Sequence, residues 1–420
     1  GGMIAAPLFT SLLAHNRVVP EYLGPVDAVP LLNHHGKLIA VDSSTEVVVA
    51  TAADIKAWDG LVEGVYAVGT GATGVVPTFL VMGAGYSLVM MLASTQYRYP
   101  PPKFGLTSTA TSSVKVDPAL VTSYNVDVKV ASRTPQFWIM FTGFGLSITG
   151  SYGVLSAGKT MLSDTFGTFM PGLVTATFAA GFVSAISMSN LGGRVLWSNL
   201  SDASVRRLRS PVYGRKLAFS AMWALGPPSY MLAVWAVHQA AQSPDSIVPL
   251  VVYCGSVFGI VSVFGGTAAT RPALVADMFG SKNVTALTAR QLTVVMPAAY
   301  VGPKLTAYFR EQSIHDACVD LSGKVDPARF QHAFGASHDK LPELLDAKTV
   351  TINRLMELVP SGTIDPTPYV YDKTMYVCAG LQTVAFLTNQ LLKPVPPEKW
   401  MKEDEDIVEG EQVATRDEKK

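Results

Sequence analysis

The 420-residue chain balances 32 lysines and arginines against 32 aspartates and glutamates. Its 49% hydrophobic and 15% charged residues carry far less charge than the roughly 25% of a soluble globular protein. Neutrality with one basic cluster gives no support to a nucleic-acid face, and three scattered cysteines, Cys254, Cys318 and Cys378, give neither a disulfide framework nor a zinc site. What remains is an all-α integral membrane protein, a chain whose surface meets lipid.

In chain order, GGMIAAPLFTSLLAH lacks the basic flank of a signal peptide and reads as a processed or incomplete start, with residues 3–14 a short or truncated span. A helix needs about 20 apolar residues to cross a bilayer core of about 30 Å. Runs of that kind occupy 75–97, 136–158, 170–193, 217–241, 246–270 and 374–392. Another, 283–303, is interrupted by Arg290. Gly226, Pro227 and Pro228 are expected to bend or break the fourth run. In lipid every backbone polar group needs an internal partner, so these spans are predicted as helices.

Three segments are too polar to span: 15–63, 304–373 and the tail 401–420. The second holds a candidate amphipathic helix, PELLDAKTVTINRLMELV, and the tail reads as a disordered, solubilising end. One set of loops carries Arg98, Lys103, Arg133, then Arg206 to Lys216, Lys282, Lys393, Lys399 and Lys402; the opposite set, 159–169 and 242–245, holds one lysine and two aspartates. The basic bias puts the first set on the cytosolic side, or on the matrix side of a mitochondrial inner membrane.

No nucleophile-base pair, phosphate cradle or metal cluster emerges, so no enzyme, cofactor or metal site is predicted. His34 and His35 sit in a polar loop, and His238, within an apolar run, is either a proton-coupling site or hydrogen-bonded inside the bundle. An ionised arginine inside a span is costly unless it meets water, a counter-ion or substrate. Arg290, about eight residues into its run, suits a carboxylate gripped bidentately; the alternatives are an ion pair with Asp277 or snorkelling to the interface. Arg194 follows Gly192 and Gly193, which permit close helix approach. It faces either a central cavity or the basic-side interface beside Trp197.

The phrase SNLGGRVLWSNLSD followed by GRK, the phrase FGGTAATRPALVADMFGSKNVTALTAR and the phrase GAGYSLVMMLASTQYRYPPP together resemble the major facilitator superfamily, within it the oxalate/formate antiporter-like, or monocarboxylate transporter-like, group. The resemblance implies the end of helix eight, helix ten with the start of helix eleven, and the end of helix six. It makes 1–14 a remnant of helix five, 15–63 a polar insertion, 64–97 helix six, 98–135 a linker and 136–303 helices seven to eleven. After the insertion 304–373, 374–392 is the last transmembrane helix and 393–420 a charged tail. About seven to eight membrane helices result.

It further implies substrate binding by Arg194 and Arg290, where the family's second position is usually lysine. Asp202, Arg206, Arg207, Arg215 and Lys216 then form the gating loop, and Gly192, Gly193, Gly265 and Gly266 pack helices. Ser198 stands where the family has glycine, and the stretch from Ala203 to Tyr213 is longer than the family's compact turn. Helices one to four have no counterpart in this sequence. Two functions therefore follow as expectations: small mono- or dicarboxylate transport by alternating access, with a complementary first-half polypeptide, or a transport-inactive structural subunit of a large membrane complex, such as a mitochondrial respiratory or ATP synthase assembly. Lipid and other membrane subunits are the expected partners, and the membrane is the mitochondrial inner, plasma or another organelle membrane.

Overall fold

The computed structural model describes residues 2–34, 37–41, 45–50, 61–98, 120–243, 245–346 and 349–401. His35, Lys103, Lys402 and the remainder of the charged tail lie outside them. In chain order the elements are α1 (Gly2–Asn16), β1 (Tyr22–Gly24), β2 (Leu31–His34), β3 (Lys37–Ala40), β4 (Glu46–Ala50), β5 (Gly64–Ala67), α2 (Val75–Ser94), α3 (Val128–Ala131), α4 (Pro135–Phe166) and α5 (Ala176–Leu208). They continue with α6 (Pro211–Gln242), α7 (Val248–Phe279), α8 (Val284–Leu292), α9 (Val295–Ser322), α10 (Pro327–Phe334), α11 (Leu341–Asp346), α12 (Ile352–Met356) and α13 (Asp372–Gln390). The chain is mostly helical, and α2, α4, α6 and α7 are long and apolar enough to cross a membrane.

The long helices start where local chemistry tells them to. Pro135 and Pro211 occupy first-turn positions, where a missing N–H costs nothing, and the Thr134 hydroxyl accepts the Phe137 N–H at 3.2 Å. Each of α4, α6 and α7 has 32 residues and so runs about 48 Å, well beyond the apolar stretch legible in the sequence. Their polar ends continue the helix because tertiary hydrogen bonds satisfy them. Pro227 and Pro228 lie inside an unbroken α6. The turn that carries them packs through Gly226 against Gln382 of α13.

The run around Arg290 is two helices: α8 ends at Leu292, two residues after Arg290, the Thr293 N–H and hydroxyl both donate to the Arg290 carbonyl, and α9 starts at Val295. α7 stops at Gly280, whose positive φ of 87° and close approach to the Tyr124 carbonyl leave no room for a Cβ.

Contacts divide the chain into two units. Unit 1 comprises 1–113, 172–184 and 311–368. Here the all-helical expectation is corrected: within 15–63 and just beyond it, β1 to β5 form an antiparallel sheet in the order β1-β5-β4-β3-β2, closed over a small core of Ala40, Val47 and Val65. Val47 is buried and Val48 exposed, the alternation of a half-buried strand. α1 packs on α2 through Phe9 and Phe79, whose rings lie 5.4 Å apart, and through the Asn16 amide, which donates to the Thr78 hydroxyl at 3.1 Å. The rest of α2 is open on nearly every side, with Val76, Leu80, Met90 and Met91 each about two-thirds exposed or more.

Further along unit 1, the Asp326 carboxylate caps α10, and Phe330 stacks on His338 at 4.0 Å. Cys318 is fully buried. In place of one amphipathic helix over PELLDAKTVTINRLMELV stand α11 and α12. The Thr351 hydroxyl caps the second by accepting the Arg354 N–H, an alternative to helix that threonine offers readily.

Unit 2 comprises 114–171, 185–310 and 369–420. α4, α6, α7 and α13 pack side by side around Phe144, Phe219, Met222 and Trp223, and the Trp223 indole N–H donates to the Thr267 hydroxyl at 3.0 Å.

Candidate functional site

The charged residues of unit 2 gather at two levels. At the first, Arg215 of α6 is the hub: its Nε donates to Asp277 of α7 at 2.8 Å, and its Nη1 donates to the Ser201 hydroxyl at 2.9 Å and to Asp202 of α5 at 2.6 Å. The side chains of Arg215 and Asp277 are only 13% and 16% exposed, so this pair is worth more than a surface bridge, whereas Asp202 at 51% contributes little. Beside it, the Lys216 ammonium donates to the carbonyls of Gln390 at 2.7 Å and Leu392 at 2.9 Å. It thereby satisfies the C-terminal end of α13, where a cation is favoured by the helix dipole.

Asn389 returns the contact, donating to the Lys216 carbonyl at 3.0 Å. On the same level Tyr124 donates to the Met278 carbonyl, and its hydroxyl is raised above the usual value by burial and by the Asp277 carboxylate. Arg206 and Arg207 are exposed on the last turn of α5.

At the second level, Arg310 of α9 donates to Asp164 of α4 at 2.9 Å and to the Tyr371 hydroxyl at 2.8 Å, and that hydroxyl donates to the same carboxylate at 2.9 Å. His238 of α6 lies 2.7 Å from the Asp372 carboxylate and stacks near Tyr369. The histidine that read from sequence as either a proton site or a hydrogen-bonded bundle residue thus ties the C-terminal end of α6 to the first turn of α13.

The two arginines nominated as substrate ligands sit elsewhere. Arg194 is exposed and donates from Nε to the Asn190 side chain, one turn back on its own helix, at 3.3 Å. Arg290 is exposed and donates to the Ser132 hydroxyl at 2.6 Å and to the Val128 carbonyl at 3.3 Å, pinning α8 to α3. Asp277, the alternative partner foreseen for Arg290, is taken by Arg215 instead.

Three of the four glycines make a close crossing of α5 with α7. A Cβ at Gly193 would run into the Ser262 backbone, one at Gly265 into the Asn190 carbonyl, and one at Gly266 into the Trp197 ring. A Cβ on Gly192 would meet nothing within 4 Å among the described residues.

One residue escaped notice in the sequence. Arg271 of α7 is 7% exposed, its Nε is sealed from solvent with no acceptor, and its guanidinium stands 5.6 Å from the centroid of the Phe144 ring. No carboxylate among the described residues pairs with it, and the Phe144 ring face and an electrostatic interaction with Tyr152 stand where a counter-ion would. It lies one residue beyond the apolar run 246–270 and before Pro272, and α7 continues past it to Phe279. Compared with known proteins, the chain matches no family model and no curated protein.

Proposed function

We propose that the chain is an integral membrane protein descended from the second half of a major facilitator carrier of the oxalate/formate antiporter-like group. Together with a first-half set of helices it carries a small organic anion across the bilayer by alternating access. The observation that supports this most is the spacing of the two charged levels of unit 2. Along α6, Arg215 and His238 are about 35 Å apart, and along α13, Asp372 and Gln390 are about 27 Å apart. That matches a hydrocarbon core of about 30 Å, with ion pairs at both faces and an apolar middle.

In this reading α5, α9 and α13 also span although their composition is less apolar; Asp202 of α5, Arg310 of α9 and Asp372 of α13 take part in the charged pairs of the two levels. The Arg206, Arg207, Arg215 and Lys216 level faces the cytosol or the mitochondrial matrix. The decisive measurement is exchange of labelled formate, oxalate and pyruvate by the native species reconstituted in vesicles. Saturable exchange is expected, and vesicles no more active than protein-free ones would remove the transport reading.

A second reading, a transport-inactive subunit of a larger membrane assembly, is favoured by Arg194 and Arg290, which are exposed and occupied by their own chain. Depleting the protein then lowers the level of the associated complex. Normal assembly after depletion would remove this alternative.

A further inference from the structure

We infer that Arg271, with the Tyr152 hydroxyl, forms a binding site for one small carboxylate monoanion, and that Arg194 and Arg290 do not bind it. This assignment rests on the carrier reading for its access to an anion, yet it stands on three separate observations. Arg271 is more than nine-tenths buried and yet has neither a hydrogen-bond acceptor nor a carboxylate among the described residues, whereas Arg206 and Arg207, which also lack them, are exposed. Its Nε is sealed while its two terminal nitrogens are not, so the end of the guanidinium fork remains open to a ligand. Tyr152 lies on α4, which packs against the helix that carries Arg271, and its ring is held by Phe264 of that helix at 5.1 Å; it interacts electrostatically with Arg271 and makes no hydrogen bond among the described residues, leaving the hydroxyl as a second donor.

The hydroxyls on the adjoining turn of α7 are spoken for: Thr270 donates to the Gly266 carbonyl, and Thr267 accepts from Trp223. Six residues separate Arg271 from Asp277, which puts the guanidinium about 9 Å inside the basic-side level. There the interaction with an anion is screened far less than at the surface.

The chemistry narrows the ligand. A guanidinium presenting both terminal nitrogens matches the two oxygens of a carboxylate, which a round halide cannot satisfy. One cation without a second basic group balances one negative charge, and a dianion would bring an uncompensated charge into a medium that penalises it. Phe144 against the guanidinium and Phe264 against the Tyr152 ring make the surroundings aromatic, which suits a short organic acid better than a strongly hydrated inorganic ion. This differs from the expectation of a mono- or dicarboxylate bound by Arg194 and Arg290.

The test uses the full chain in nanodiscs and measures binding of formate, pyruvate, oxalate and chloride by calorimetry. Saturable binding of formate or pyruvate is expected, with oxalate at least about tenfold weaker. Tyr152→Phe, which keeps the ring packing, should weaken it about tenfold, the loss of one hydrogen bond to a charged acceptor. Arg271→Lys should weaken it about tenfold or more by removing the fork, and Arg194→Gln and Arg290→Gln should leave it unchanged.

Arg271→Met, which removes a buried unpaired charge, should abolish binding while raising Tm by about 2–4 °C, so that lost binding is not lost folding. Binding that survives Arg271→Met, or is lost instead in Arg194→Gln, overturns the assignment; so does chloride competing on equal terms with formate. Binding without vesicle exchange would sink the transport reading and leave the site standing, whereas exchange that persists in Arg271→Met would do the reverse.

Discussion

Gly265→Ala is expected to destabilise the protein by about 2–3 kcal/mol, and Gly192→Ala to be neutral or stabilising by up to about 1 kcal/mol. Both positions are glycines inside long helices, and intrinsic helix propensity favours alanine at each. The difference is tertiary. A Cβ on Gly265 collides with the Asn190 carbonyl, a backbone atom of the crossing helix that cannot rotate away, whereas a Cβ on Gly192 meets nothing. Relief at Gly265 requires α5 and α7 to move apart. That motion also pulls the Trp197 indole from the Ser262 hydroxyl, to which it donates at 3.0 Å.

Gly193→Ala should resemble Gly265→Ala, because its new methyl meets the Ser262 backbone. Thermal unfolding of the four proteins in one detergent measures the contrast. Equal midpoints for Gly265→Ala and Gly192→Ala would show that the helices do not cross here as closely as described.

Arg215→Ala is expected to cost about 3 kcal/mol, at the lower end of the effect of breaking a buried ion pair. Most of this comes from Asp277, left with a largely buried carboxylate and no cation, while the exposed Asp202 is rehydrated at small cost. Asp277→Asn in the Arg215→Ala background should therefore recover part of the loss, since the stranded charge is gone. Asp202→Asn alone should cost under about 1 kcal/mol. A double-mutant cycle on Arg215 and Asp277, followed by chemical unfolding, reads the coupling directly. A coupling indistinguishable from zero would reduce the hub to a surface contact and weaken the case for a charged level at that end of unit 2.

Both predictions concern residues whose type was evident from sequence while their role was not. Gly192, Gly193, Gly265 and Gly266 all read as helix-packing residues, because small side chains in apolar helices permit close approach. Which of them touch a neighbour depends on the rotation of α5, and a single residue step of about 100° turns Gly192 outward while Gly193 faces α7. In the same way Arg215 belonged to a basic loop that signals topology. Its pairing with Asp277 needed the N-terminal end of α6 and the C-terminal end of α7 to meet across 62 residues of chain.

The sheet in unit 1 went unseen because 15–63 was judged only for its capacity to span a membrane. Its signal was present in the β-branched run Val47 to Val49 and in the alternation that surrounds it.

Hydrophobic composition and the lengths of the uncharged runs determined, by themselves, that the chain would build long apolar helices, and the helices at 75–94, 135–166, 211–242 and 248–279 lie where those runs predicted them. Such properties are additive along the chain, so they survive without knowledge of neighbours. Whether an arginine is exposed, paired or stranded is not additive. Arg194 and Arg290 were conspicuous in one dimension, yet both are exposed, the first bonded one turn back on its own helix and the second to Ser132 of a distant segment, while Arg271, inconspicuous beside a proline, is buried against Phe144 from a helix more than a hundred residues earlier. Desolvation is set by what packs around a group in three dimensions, and only the tertiary structure supplies those atoms.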